Sequence, residues 1–169
     1  MPKQLDRKYD YRRKLPHYQK AERAIFITFC KGNQIPFPPQ ARDVILQHCL
    51  HDNGKRYELH AAVVMPDHVH LLLTPMRDDK GWPYALPQIL KLLKGTSAHT
   101  INKLLNSSGP IWQEESFDHV LRSQESFEQK REYLRQNPVR RGLVKKPEDY
   151  QWLWLEPSPC RTDTPGRRF

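Results

Sequence analysis

Two histidines separated by one residue begin an apolar run in the segment 65–73, MPDHVHLLL. Side chains on a strand alternate between its two faces, so His68 and His70 are predicted to point the same way, on a face open to water. Two imidazoles on one strand face can share a divalent cation, because neutral imidazole is the commonest nitrogen ligand of such ions. Short motifs of this kind also occur by chance, so the pair alone leaves a purely structural role open.

A tyrosine and an asparagine four residues apart, Tyr133 and Asn137, lie in a second segment that could do chemistry. Residues at this spacing share one face of a helix. A tyrosine on an exposed basic helix beside a metal site is a candidate nucleophile. Taken alone, the same pattern suits a tyrosine that packs its ring against the protein body.

The charge of the chain predicts a polyanionic partner. The formal net charge is +9 and the isoelectric point is about 9.6. Residues 1–23 hold eight lysines and arginines against three acidic residues, and residues 130–146 hold seven against one. Such clusters are often only solvated surface, but tyrosines interleaved with them favour nucleic acid, because bases stack on aromatic rings.

Hydrophobic periodicity indicates the elements that position these residues. Strands are predicted at 24–30, 57–64 and 68–74, with short extended pieces at 111–112 and 117–121. Helices are predicted at 40–51, at 86–105, and from a cap at Ser123 to about Gln136, where Pro138 is expected to stop the last one. This order predicts an α+β fold, a ferredoxin-like antiparallel sheet of four or more strands with helices packed mainly on one face.

The length of 169 residues suits one folded domain, predicted here at 23–156. A basic arm at 1–22 and a disordered tail at 157–169 are expected to flank it. No apolar run approaches the roughly 20 residues of a membrane span, and the N-terminus lacks the apolar core of a signal peptide. With three widely spaced cysteines that suit reduced thiols, these features predict a cytoplasmic protein associated with the nucleoid through DNA and not with membranes.

The histidine segment and the tyrosine segment together resemble a known protein family. The run 66–72, PDHVHLL, followed by Tyr133-x-x-x-Asn137-Pro138-Val139-Arg140-x-Gly142, resembles the single-tyrosine HUH transposases (IS200-like), and most closely their REP-associated tyrosine transposases. The resemblance covers about residues 20–155.

The resemblance implies an enzyme that cleaves and rejoins single-stranded DNA, with hairpins at palindromic repeats as its substrates. It implies that His68, His70 and Asn137 bind Mg²⁺ or Mn²⁺, and that Tyr133 attacks DNA to form a 5′-phosphotyrosine intermediate. His60, on the neighbouring strand, is an alternative ligand, whereas Asp67 is expected to be a turn residue. Residues expected to contact DNA are Arg12, Arg13, Lys14, Lys94, Arg135, Arg140 and Arg141. The protein is expected to be a monomer or a homodimer.

Two other functions compete with this one. A relaxase or replication initiator would use the same histidine and tyrosine parts. A non-catalytic nucleic-acid-binding protein would instead present stacking aromatic side chains on its sheet face, where this sequence is expected to place histidines.

Overall fold

Five antiparallel strands form the sheet in the computed structural model, which describes residues 23–157. The strands are β1 (Ile25–Lys31), β2 (Tyr57–Val64), β3 (His68–Pro75), β4 (Trp112–Val120) and β5 (Leu153–Leu155). They lie side by side in the order β4-β1-β3-β2-β5. The predicted ferredoxin-like α+β fold is therefore confirmed, whereas the proposed arm and nearly all of the proposed tail lie outside the described residues.

Three helices cover the two faces of this sheet unequally. They are α1 (Pro39–His51), α2 (Leu86–Leu104) and α3 (Gln124–Arg140), and a short 3-10 turn follows at Pro147–Asp149. Helices α1 and α2 pack against each other on one face, while α3 packs on β2 and β3 from the opposite face. Two of three helices thus share a face, as predicted.

Strand β3 is buried on both sides because it lies in the middle of the sheet. Val69 and Leu71 belong to the larger core beneath α1 and α2, whereas Leu72 belongs to the smaller core beneath α3. All three side chains are fully buried. Burial of a leucine contributes about 2 kcal/mol, so β3 is among the best anchored parts of the chain. Its two histidines share the face of Leu72 and therefore point toward α3.

A tight connection fixes the point at which β3 begins. The predicted hairpin of β2 and β3 is confirmed by their antiparallel pairing, with Val64 opposite Val69. The backbone N–H of Met65 donates to the carbonyl of His68 over 2.8 Å and closes the turn. A slip of one residue would move every β3 side chain to the other face, so this turn determines where the histidines point.

The predicted end of α3 is wrong, because the helix passes through Pro138 and ends at Arg140. The fixed φ of proline is itself helical, and its missing N–H removes only one hydrogen bond near the helix end. The N–H of Arg141 still donates to the carbonyl of Asn137 over 3.0 Å. Gly142, at a φ of 70°, then ends the helix in the left-handed conformation. The predicted Ser123 cap is confirmed, since its hydroxyl accepts from the N–H of Ser126.

Strand β4 is continuous, where the sequence indicated two short extended pieces. Strand β5 was not predicted, because it has only three residues and pairs only with the edge of β2. Trp152 and Trp154 pack on the body as expected. Between residues 23 and 157, no helix has the length and apolar character needed to cross a membrane.

Candidate active site

The two histidines of β3 meet beneath α3. Their Nε2 atoms are 3.1 Å apart and their ring centroids are 4.5 Å apart. Two ligand atoms bound to one ion at about 2.1 Å and at right angles would be about 3.0 Å apart. The observed spacing of His68 and His70 therefore suits two ligands of a single divalent cation.

The second ring nitrogen of each histidine, Nδ1, has a hydrogen-bond partner. Nδ1 of His68 donates to the Asp67 carboxylate over 2.7 Å, and Nδ1 of His70 lies 2.7 Å from the Thr28 hydroxyl. When Thr28 accepts a hydrogen bond, both Nε2 atoms carry lone pairs that face each other. Hydrogen bonds of this kind orient metal-binding imidazoles and fix their tautomer. Asp67 thus does more than form the turn.

The histidine face is not the open, wet surface that was expected. His70 is only 6% exposed, since α3 covers it and its ring stacks on Phe26 with centroids 5.3 Å apart. Burial, with the nearby charges of His68 and Lys130, lowers the pKa of His70 to about 3. His70 is therefore neutral at physiological pH, which is the state that binds a metal.

Tyr133 lies against His70 of the histidine pair. Its ring meets His70 edge to face with centroids 5.5 Å apart, and it meets Phe26 in the same way at 6.0 Å. The residue is 37% exposed, so it is open to a substrate. Two cations flank the ring, with Lys130 Nζ and Arg140 Cζ each 5.6 Å from its centroid. An exposed phenol among cations beside a histidine pair is suited to meet a phosphate.

Asn137 follows Tyr133 by one helical turn and is buried, with 6% of its surface exposed. Within the described part of the chain, its Oδ1 atom has no hydrogen-bond partner. A buried oxygen without a partner is costly, unless a ligand completes it. Two imidazole nitrogens and one amide oxygen form a donor set that fits Mn²⁺ and accommodates Mg²⁺.

The basic residues expected at DNA divide into four groups. Arg140 and Arg141 lie at the site, where Arg141 Nη2 is 3.3 Å from Asp67 Oδ2. Arg135 is paired with Glu132 and Glu148 at the surface. Lys94 lies on the other face of the sheet, where its ammonium donates to β4. Arg12, Arg13 and Lys14 lie outside the described residues.

His60 lies away from the histidine pair, beside the first turns of α3. It is held between Glu156, 2.9 Å from Nδ1, and Thr74, 2.8 Å from Nε2, and its ring meets Phe127. Glu58, His60 and Glu156 could hold a cation of their own, because their ligand atoms lie within 4.8 Å of one another. The structure thus separates His60 from His68 and His70. A cleft of about 840 Å³ opens next to this cluster.

Three residues of the site were not predicted from the sequence. Thr28 and Phe26 come from β1, and Lys130 precedes Tyr133 by one turn of α3. Thr28 gave a signal, because it is the one polar residue in the apolar run 24–29. Its partner could not be predicted, since His70 is 42 residues away and the pairing depends on sheet register.

Comparison with known proteins adds to this geometry. The sequence profile of the family described as "Transposase IS200 like" matches residues 39–137, which is more than half of the chain. A protein of Haemophilus influenzae that carries the name REP-associated tyrosine transposase is 26% identical over 101 residues. That match spans 57% of this chain and 57% of the relative, so the chain covers less than two thirds of its length.

Among solved structures, the chain resembles a REP-associated tyrosine transposase bound to a REP hairpin. The TM-score is 0.64 at 22% identity, over 78% of this chain and 75% of the other. At this identity the likeness establishes a common fold. The profile match ends at Asn137 and includes both histidines and Tyr133.

Proposed function

The chain belongs to the IS200-like transposase family, a family of DNA-cleaving enzymes, and we propose that it cuts and rejoins single-stranded DNA through Tyr133. The observation that carries this proposal is the position of Tyr133 against His70, with the two ring centroids 5.5 Å apart. A tyrosine with only a packing role would not need the buried, neutral His70 beneath it and two cations around its ring.

The proposed reaction is a reversible transfer of a phosphoryl group. The Tyr133 oxygen attacks a backbone phosphorus and releases its phenolic proton to solvent. A bond forms between that oxygen and phosphorus, and the bond to the 3′-oxygen breaks, so that this oxygen takes a proton and leaves as a 3′-hydroxyl. The DNA remains attached as a 5′-phosphotyrosine. Attack by a 3′-hydroxyl reverses the exchange, and no nucleotide cofactor is required because the bond energy is kept.

His68, His70 and Asn137 would hold the divalent metal, Mn²⁺ or Mg²⁺. Such an ion polarises a phosphate and offsets its developing charge. Two features of these residues suit metal binding. His70 is already neutral, and the Asn137 oxygen has no other partner among the described residues. Asp67 and Thr28 hold the imidazoles in place from the side away from the ion.

Lys130 and Arg140 are assigned to the substrate side of the site. Each lies within 6 Å of the Tyr133 ring centroid, and both chain positions belong to α3. Their charges stabilise the phenolate that forms during attack and attract the phosphate that accepts it. Because α3 carries the nucleophile and both cations, the helix presents them as one rigid unit.

Single-stranded DNA and DNA hairpins are the proposed partners. The net charge of +9 and the basic surface of α3 favour a polyanion. The solved relative is described as bound to a REP hairpin, which makes a hairpin with a single-stranded flank the first substrate to test. The REP-associated branch of the family is therefore our proposed placement for this chain.

A denaturing gel tests the proposal directly. Labelled hairpin DNA is incubated with protein and Mn²⁺, and covalent adducts are counted as label that migrates with protein. Wild type should form the adduct, and Tyr133→Phe should form none while it still binds DNA, because only one oxygen is removed. Tyr84→Phe is the matched control and should behave like wild type. An adduct that persists in Tyr133→Phe would exclude Tyr133 as the nucleophile, and no adduct with wild type would favour a non-catalytic binding protein.

A further inference from the structure

Phe117 is an exposed aromatic side chain on the sheet face that carries the histidine pair. In the register of the sheet, Phe117 lies opposite Thr28 on β1, and Thr28 lies opposite His70 on β3. The Thr28 hydroxyl contacts His70, so this row of three residues occupies the α3 side of the sheet. Phe117 therefore belongs to the same surface as the candidate active site.

The opposite orientation of its neighbour supports this assignment. Ser116 accepts a hydrogen bond from Lys94 of α2, so Ser116 faces the α1 and α2 side. Consecutive strand residues point to opposite faces, which places Phe117 on the α3 side. His119, two residues further on, lies opposite Phe26 and shares that side.

Within residues 23–157, α3 leaves this part of the face uncovered. The helix packs on β2 and β3, whereas β4 is the outer strand on the far side of β1. Phe117 is 60% exposed and His119 is exposed as well. Soluble proteins do show single exposed apolar residues, so exposure alone assigns nothing. Phe117 differs from a scattered apolar residue because it lies in register with His70 of the candidate metal site.

We propose that Phe117 is a stacking platform for an unpaired base of the DNA strand that enters the active site. The inference rests on the proposed function. Phe117 and His70 are separated by two strand spacings, about 10 Å, which is close to three stacked nucleotide steps of about 3.4 Å. A strand with its phosphate at Tyr133 can thus place a nearby base on the Phe117 ring.

The local charge favours contact with a base over contact with a phosphate. Glu115, two residues before Phe117 on β4, is an exposed carboxylate that repels phosphates. The aromatic ring of Phe117 has no charge and accepts any base by stacking. The cations near Tyr133 are therefore assigned to the DNA phosphates, and the uncharged Phe117 ring on β4 is assigned to a DNA base.

Binding without metal isolates this contact from cleavage. Fluorescence anisotropy with EDTA present should show that Phe117→Ala weakens affinity for a hairpin with a single-stranded flank by about fivefold or more. Affinity for the same stem without a flank should not change. Phe117→Trp should restore the flank-dependent affinity, because stacking needs a ring and not phenylalanine itself. Ile35→Ala is the matched control, since Ile35 is 71% exposed on the loop between β1 and α1.

A fluorescent base gives a second measurement. 2-Aminopurine, placed in turn at each flank position within four nucleotides of the cleavage site, should be quenched at one position by wild type and Phe117→Trp but not by Phe117→Ala. Equal affinities for wild type and Phe117→Ala, or an equal loss with and without the flank, would overturn the platform. If that variant still forms the Tyr133 adduct, the proposed chemistry stands without the platform. If Tyr133→Phe keeps the adduct while the quenching pattern holds, the chemistry fails and the platform stands.

Discussion

Oδ1 of Asp67 lies 2.7 Å from Nδ1 of His68, while its other oxygen lies 3.3 Å from the Arg141 guanidinium. The carboxylate thus connects the start of β3 to the residue that follows α3. Partial burial acts against ionisation, but hydrogen bonds and charges from His68 and Arg141 outweigh it and lower the pKa of Asp67. One carboxylate therefore orients a candidate ligand and fastens the end of the helix that carries the candidate nucleophile.

We predict that Asp67→Ala lowers Mn²⁺ affinity by roughly 10- to 100-fold, as loss of a residue that orients a metal-binding histidine commonly does. The remaining ligands are present, so binding should weaken without disappearing. Calorimetric titration measures the affinity. Asp79→Ala is the control, because Asp79 is exposed on the loop after β3. Unchanged affinity in Asp67→Ala would reduce Asp67 to a turn residue.

Asn137→Leu should separate a ligand from a structural amide. The Asn137 oxygen is buried and has no partner among the described residues, so its removal should leave metal-free stability unchanged or slightly higher. The same change should weaken Mn²⁺ binding, because one donor is lost. Urea denaturation and calorimetry measure the two effects.

Asn53→Leu is the contrasting variant. Asn53 Oδ1 accepts from the backbone N–H of Leu59 over 2.8 Å, so this substitution leaves a donor without its partner. It should lower stability by about 1 kcal/mol or more and should not affect metal affinity. If Asn137→Leu instead loses stability and keeps its metal affinity, Asn137 is structural.

The buried histidine should make stability depend on pH. The pKa of His70 is about 3 in the folded protein, against an ordinary value of 6.5. Between these values the unfolded chain binds a proton that the folded chain does not, so stability falls as pH falls below 6.5. With metal removed, this residue should cost about 2 kcal/mol between pH 7 and pH 5.

Urea denaturation at both pH values, in wild type and His70→Gln, measures this effect. The drop in stability between pH 7 and pH 5 should be smaller in His70→Gln, whatever its stability at pH 7. His51→Gln is the control, because the His51 side chain is 70% exposed. Equal drops in wild type and His70→Gln would mean that His70 is protonated in the folded protein.

The local parts of the site could be predicted from sequence. The pleat of a strand places His68 and His70 on one side, and the helical repeat relates Tyr133 to Asn137. Both relations depend only on backbone geometry within a few residues. The predicted end of α3 was wrong at Pro138. The residue before a proline generally disfavours the helical conformation, but here the helix continues and is anchored by the buried Leu134.

The longer-range parts could not be predicted. The contact of Thr28 with His70, and the row that extends it to Phe117, follow from the register of three strands. Register is determined by the packing of both sheet faces and by turn geometry, which no single segment specifies. For the same reason the expected wet face proved to be buried, because the position of α3 depends on the whole smaller core.

The last prediction concerns residues 1–20, which lie outside the described residues and hold much of the positive charge. Their removal should weaken DNA binding and flatten its dependence on salt, because each lost phosphate contact lowers the slope by about 0.7 for a single strand and 0.9 for a duplex stem. The charges concerned are Lys3, Arg7, Lys8, Arg12, Arg13, Lys14 and Lys20. Adduct formation at saturating DNA should persist, since every candidate catalytic residue lies beyond position 60.

A full-length variant with these seven residues changed to glutamine separates charge from length and should match the truncated protein. Binding is measured over a salt series with hairpin and single-stranded DNA. Slopes identical to wild type in both variants would show that the arm makes no phosphate contacts, whereas a flattened slope with the hairpin alone would place the arm on the stem.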